Sequence, residues 1–170
     1  MAVRRATLAD DRLVRNLRLR ALADSPDAFG ATLEHESGTP DEVWLALVRG
    51  DGWGGTSVVF IAEDEGGAPA GLTIGVRYAD EPGEAAHLYS MWVDAALRRR
   101  GHAVALVEAI ADWAAGAGAR VLRVAATETN PAAVQLYRGL GFVPTGESAP
   151  LRAGSELSCL AMERALQRQP

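Results

Sequence analysis

Two apolar periods alternate along this 170-residue chain. Leu13, Leu17 and Ala21 fall at i, i+4 and i+8 with Val14 and Leu22 beside them, the stripe of a helix over 8–23 that Thr7 to Asp10 can cap and Ser25-Pro26-Asp27 stops. A second helix opens at Pro40-Asp41-Glu42 and carries Val43, Trp44, Leu47 and Val48. A third runs over 103–117 on Leu106, Val107, Ile110, Trp113 and Ala114, ending at Gly116 and Gly118. A fourth starts at Pro131 behind an Asn130 cap, carries Ala133, Val134, Leu136, Tyr137 and Leu140, and ends at Gly141. Between these lie shorter β-branched or alternating runs that predict strands over 2–6, 56–62, 70–78, 85–93 and 120–126, one opening at Phe142-Val143 and one over 157–162.

The connections predict how these elements associate. Gly50 to Gly55, Glu63 to Gly67 and Pro82-Gly83 are turn sequences, so the strands over 56–93 form an antiparallel meander. The helix between the strands over 85–93 and 120–126 predicts a right-handed parallel crossover. The order β-α-α-β-β-β-α-β-α-β-β points to a mixed sheet with helices on both faces, in one domain spanning 1–170 with no internal repeat. Ala28 to Leu33 reads as a connector, and its Phe29 and Leu33 have two readings: a loop tucked against the core, or a wall of an acceptor pocket.

Composition narrows the classes. Apolar residues make up 48% and charged residues 23%, as in ordinary globular proteins, and the net charge of -5 argues against a general nucleic-acid or anionic-membrane surface. All 17 basic residues are arginine. No stretch approaches the length of a membrane span and no apolar leader follows Met1, so a soluble, cytoplasmic protein is expected. Cys159 is the single cysteine, which rules out an internal disulfide and leaves a cysteine-based metal site without partners.

The candidate chemistry lies in Arg98-Arg99-Arg100-Gly101-His102-Ala103, which leads from a strand into a helix. The first amides of that helix lack intrahelical partners, its dipole is positive there, and arginines add to the preference for an anion. The turn lacks the Gly-Lys-Ser/Thr of a Walker loop and the spaced glycines of a dinucleotide fingerprint. A phosphate-bearing cofactor of another kind is implied.

Arg98-x-x-Gly101-x-Ala103, followed by a helix, a strand and then Asn130, Ala133, Leu136-Tyr137 and Gly141-Phe142, resembles the GNAT superfamily of acyl-CoA N-acyltransferases. Arg99 departs from it, since many members carry glycine there. The resemblance implies an α/β (α+β) fold with a mixed, mostly antiparallel sheet of about seven strands. It also implies direct acetyl transfer from acetyl-CoA, without a metal, to a primary amine of a small molecule or peptide. Met91, Trp92 and Val93 would then pair with the pantetheine arm in a gap beside the central strand. Arg98, Arg99, Arg100, Gly101, His102 and Ala103 would hold the pyrophosphate, and Asn130, Ala133 and Tyr137 would flank the arm. Tyr137 takes the place of the general acid. The alternative is a non-catalytic CoA-binding regulatory module of the same fold, and a homodimer is compatible with either.

His87 stands where some members carry a glutamate that deprotonates the amine, and an imidazole titrates near neutrality; Glu84 and a water chain compete with it for that role. Strand alternation puts His87, Tyr89, Met91 and Val93 on one face, unless a bulge shifts the phase, and Ser90 on the other. His102 is expected to point toward phosphate or solvent, and Cys159 to lie in a core strand. For the acceptor, the loops over 25–40, near Tyr78 and over 148–155 offer Phe29, Glu34, Trp44, Tyr78 and Tyr89, with Glu34 or Glu36 as carboxylates for a cationic amine.

Overall fold

The computed structural model describes residues 1–81 and 84–167; the expected Pro82-Gly83 turn lies outside the described residues. The strands are β1 (Ala2–Arg5), β2 (Thr56–Glu63), β3 (Pro69–Arg77), β4 (Ala85–Val93), β5 (Val121–Thr127), β6 (Val143–Pro150) and β7 (Ser158–Ala165). The helices are α1 (Asp11–Asp24), α2 (Leu33–Ser37), α3 (Asp41–Arg49), α4 (His102–Gly116) and α5 (Pro131–Gly139). The strands make one sheet in the order β1-β2-β3-β4-β5-β7-β6, antiparallel throughout except for β4 with β5. The mixed sheet predicted from the pattern, and its mostly antiparallel arrangement of about seven strands implied by the resemblance, are thus observed.

Each face of the sheet carries its own core. On one side Leu17 and Leu22 of α1 and Trp44 and Leu47 of α3 pack on Ile61, Leu72 and Ile74, all almost fully buried. On the other, Val107, Ile110 and Ala114 of α4 meet Leu88, Leu122, Phe142 and Met162. Removing this apolar area from water is the main favourable contribution to folding. Arg4 joins the start of the chain to the sheet, reaching Asp10 with both terminal nitrogens at 2.9 Å and Glu63 with Nε at 2.6 Å. Asp10 also accepts from the Thr7 amide at 2.8 Å, which opens the first helical segment as its sequence predicts.

The segment predicted as a plain connector holds the short helix α2. Thr32 starts it by accepting from the His35 amide at 3.2 Å, and Glu36 draws it onto α1 through Arg18. Phe29 is buried and Leu33 is exposed, so only the first of the two is tucked in. At the far edge β6 is exposed along its whole length, and Pro144 and Pro150 withhold two N–H donors from that edge. Among the described residues no helix is long and apolar enough to cross a membrane.

Candidate active site

β4 and β5 pair in parallel over three positions only, Ala85 with Val121, Ala86 with Leu122 and His87 with Arg123. Both strands continue, β4 to Val93 and β5 to Thr127, without pairing to one another, while β5 stays paired with β7 over its full length. Two cavities flank the gap, of about 900 Å³ and 740 Å³, and Phe29, Met91, Asn130 and Ala133 form walls of both.

A bulge changes which way β4 presents its side chains. Tyr89 opposes Ile74 and Trp92 opposes Leu72, so one extra residue is accommodated between them, and Ser90 takes a left-handed backbone with φ 56°. Thr73 donates its hydroxyl to the Tyr89 carbonyl across the bulge at 3.2 Å. His87, Tyr89 and Trp92 therefore face the α1 and α3 side, whereas Leu88, Met91 and Val93 belong to the α4 side. The single shared face predicted for His87, Tyr89, Met91 and Val93 is corrected accordingly: simple alternation fails across the inserted residue.

The turn after β4 is built from left-handed residues, Arg99 at φ 64° and Gly101 at φ 88°. An added Cβ at Gly101 would meet nothing closer than the Met1 side chain at 3.7 Å, so glycine is favoured there by its backbone angle rather than by lack of room. These two left-handed residues flank Arg100 and stand on the wall of the smaller cavity, next to the open end of α4, whose first amides lack intrahelical partners. The arginines behave differently from the expectation. Arg98 folds back, donating to the Val93 carbonyl at 3.0 Å and to Asp24, so its side chain braces the turn instead of facing the cavity as a free cation. Arg100 is exposed and lines neither cavity, while Arg98, Arg99, Gly101, His102 and Ala103 line the smaller one. The solvent-facing alternative for His102 is corrected: its ring is buried, with Nδ1 3.2 Å from the Leu97 carbonyl, on the wall of the smaller cavity.

Asp24 ties three elements together at this point. Its carboxylate accepts from Trp92 Nε1 at 2.9 Å, from Ser25 Oγ at 2.7 Å and from Arg98. Led by the Trp92 bond, these donors hold Asp24 below the usual carboxylate range.

On the far side of the gap, Asn130 caps α5 by accepting from the Ala133 amide at 3.2 Å. Tyr137, about two turns further on, is 4% exposed and lies 5.4 Å from Phe142, ring centre to ring centre. Its hydroxyl makes no hydrogen bond among the described residues, the ring lines the larger cavity, and burial raises its pKa well above the ordinary phenol value, so it stays protonated at neutral pH. His87 lines the same cavity with Nε2 3.2 Å from Glu81 Oε1, a contact too poorly aligned for a hydrogen bond; that oxygen accepts from Arg123 at 2.8 Å. Glu84 is held by Arg120 at 2.5 Å and lines neither cavity, which removes it as a competing base.

Of the acceptor candidates, Phe29, Tyr78 and Tyr89 line the larger cavity; Glu34 is exposed outside it, and Trp44 is sealed in the core. Glu36 takes the place expected of Glu34, and it does so bound to Arg18 at 2.8 Å and 3.0 Å. Cys159 lies in β7, an interior strand as expected, and it also lines the cavity, half-buried and 4.0 Å from Thr127 Oγ1. Trp53, Arg123 and Glu81 are additional to the sequence reading. An aromatic set among four glycines was a visible signal for Trp53, whereas Arg123 and Glu81 depend on the strand register.

Residues 21–142 match the sequence model of the acetyltransferase (GNAT) family. The chain belongs to that family. No curated protein matches it closely enough to count as a relative. Among solved structures, a GCN5-related N-acetyltransferase from Kribbella flavida is 26% identical with TM-score 0.75, over 97% of each chain. The yncA protein of Salmonella typhimurium, solved with its cofactor acetyl-CoA, is 20% identical with TM-score 0.78, over 100% of this chain and 96% of that one. The spermidine N-acetyltransferase of Vibrio cholerae, in complex with CoA and spermine, is 16% identical with TM-score 0.75, over 98% of this chain and 96% of that one. The GNAT fold of these proteins is the fold described above.

A depressed carboxyl pKa contributes stability above its unfolded value and loses it as pH falls through the folded one. Asp24→Asn is therefore expected to cost about 1–2 kcal/mol in urea unfolding at pH 7. Its difference from wild type should shrink as the pH drops below 3.8.

Proposed function

We propose that this protein transfers an acetyl group from acetyl-CoA directly to a primary amine of a small molecule or peptide. The observation that carries the reading is the unpaired length of β4 beyond His87, open between the left-handed turn on one side and Tyr137 on the other. The residues present fit the donor. Backbone groups over Met91–Val93 have no partner from β5; Arg98 takes the Val93 carbonyl, and buried backbone donors and acceptors that nothing takes need a partner. The amides from Arg99 to Ala103 at the start of α4 suit a diphosphate, and Asn130 with Ala133 closes the opposite wall.

Acetyl-CoA supplies an activated acyl thioester. The chain's task is then to orient the amine and move two protons. An alkyl ammonium with a pKa of about 10.4 is neutral to roughly one part in two thousand at pH 7, so freeing its lone pair costs about 4–5 kcal/mol. His87, on the wall of the larger cavity beside Glu81, takes that proton. Tyr137 holds its proton because burial disfavours the phenolate, and gives it up to the departing sulfur. The amides beyond the bulge polarise the carbonyl that is attacked.

The decisive assay is thiol release from acetyl-CoA on addition of amine acceptors; a protein that binds the donor and releases no thiol with any amine refutes the reading. Tyr137→Phe should lower kcat about 100-fold while leaving the KM for acetyl-CoA within about threefold. His87→Ala should lower kcat/KM for the amine by a similar factor at pH 7, and the gap should close toward pH 10 as the amine sheds its own proton; a loss equal at every pH would exclude the base. Gly101→Val, which forces a β-branched residue into the left-handed turn, should weaken CoA binding at least tenfold by calorimetry.

A further inference from the structure

The glycine-rich loop before β2 has a detail that the proton transfers leave unexplained. At its centre Trp53 is held at φ 56° and ψ 30°, a backbone conformation that bulky residues rarely adopt and that persists only where surroundings impose it. Here they do. A Cβ on Gly52 would come within 2.6 Å of the Leu47 side chain and 2.7 Å of its Cα, so the loop lies flat against α3. The Gly52 amide donates to Ser57 Oγ at 2.9 Å, and the same hydroxyl donates to the Leu47 carbonyl at 3.0 Å. The outcome is a half-buried indole on the wall of the larger cavity.

Trp53 does not stand there alone. Its ring meets Tyr89 edge-on at 5.9 Å, Tyr89 stacks parallel to His87 at 5.6 Å, and Tyr78 tilts against His87 at 5.6 Å. The carboxylates nearest these rings are already bound: Glu36 gives both oxygens to Arg18, and Glu81 is shared by Arg123 and His87. Glu163, also on the cavity wall, lies 3.6 Å from Arg123, and Glu147 belongs to β6 at the opposite edge of the sheet from β1. A cation arriving beside His87 therefore meets Trp53, Tyr78 and Tyr89, while Glu36, Glu81 and Glu163 are already paired with arginines.

We propose that Trp53, Tyr78 and Tyr89 form an aromatic box that selects an amine carried on an apolar or aromatic body, holding its ammonium form beside His87. The proposal rests on the acetyl-transfer reading above. Ring faces attract a cation through their quadrupole and gain further from an apolar body packed on them. A polyamine or an amino acid brings a second, strongly hydrated charge that finds no free counter-ion among the rings and loses its water on entry.

The test compares 2-phenylethylamine, hexylamine, putrescine and lysine as acceptors for wild type, Trp53→Ala and Trp53→Phe, reading thiol release from acetyl-CoA. The expected kcat/KM for 2-phenylethylamine exceeds that for putrescine and lysine at least tenfold. Trp53→Ala raises its KM at least tenfold with the KM for acetyl-CoA unchanged, and Trp53→Phe keeps most of the wild-type value. Calorimetry with the quaternary analogue N,N,N-trimethyl-2-phenylethylammonium, which cannot be acylated, reads the box without the chemistry: it binds wild type with CoA present and weakens tenfold in Trp53→Ala. Should Trp53→Ala melt below the assay temperature, Trp53→Leu takes its place, keeping apolar volume and losing the ring face, with the same loss expected. Turnover that favours putrescine or lysine, or a Trp53 variant without effect on 2-phenylethylamine, overturns the box and leaves acetyl transfer standing. Analogue binding without turnover of any amine overturns acetyl transfer and keeps the box, and failure of both measurements overturns both.

Discussion

The cleft exists because two parallel strands stop pairing after three residues. Backbone N–H and C=O groups inside a protein are nearly always bonded, so an abandoned stretch of the central strand needs another partner. β5 cannot serve, since it follows β7 along its whole length and leaves β4 beyond His87. What remains is a strand edge opening into cavities on both sides, flanked by a helix start and by α5. On the proposed reading, the donor arm supplies the missing strand. Affinity then comes largely from main-chain groups, which side-chain substitutions leave intact.

The rigidity of that opening is bought locally by polar contacts. Asp24 at the end of α1 draws together the Trp92 indole on β4 and the Arg98 guanidinium in the turn, while Arg20 pairs with Asp94 at 2.5 Å and sits over the Trp92 ring. A run of three arginines thus divides its labour: one braces the fold, one occupies the strained position of the turn, and one is solvated. Charge alone could not have made that division, because it follows from which backbone angles the turn adopts.

The periods of apolar residues, the turn glycines and the crossover were legible because each is local: they need only neighbours within one element. Strand β4 was legible in extent and misread in phase, since the bulge at Ser90 arises from its pairing with β3 and leaves no mark in the alternation of its own residues. The same dependence on distant partners hid α2, which is only five residues long and is anchored through Glu36 to Arg18. It also hid the burial of His102 and the nearness of Glu81 and Arg123 to His87. Asn130 was readable locally as a helix cap, but Tyr137 only as part of a motif; nothing in its own helix distinguishes a cleft tyrosine from a packed one.

The bulge in β4 has an evolutionary consequence. Before it, the strand turns His87 and Tyr89 toward the layer that carries α1, α2 and the Trp53 loop; after it, Met91 and Val93 face the α4 layer. The two cavities share few walls, so substitutions around one leave most of the other untouched. Under the proposed reading, a lineage with this architecture can exchange one acceptor for another by drifting in the segments over 30–55 and 145–159, while selection for the donor holds the turn and α4 constant. One inserted residue lets the two halves of the cleft diverge at independent rates.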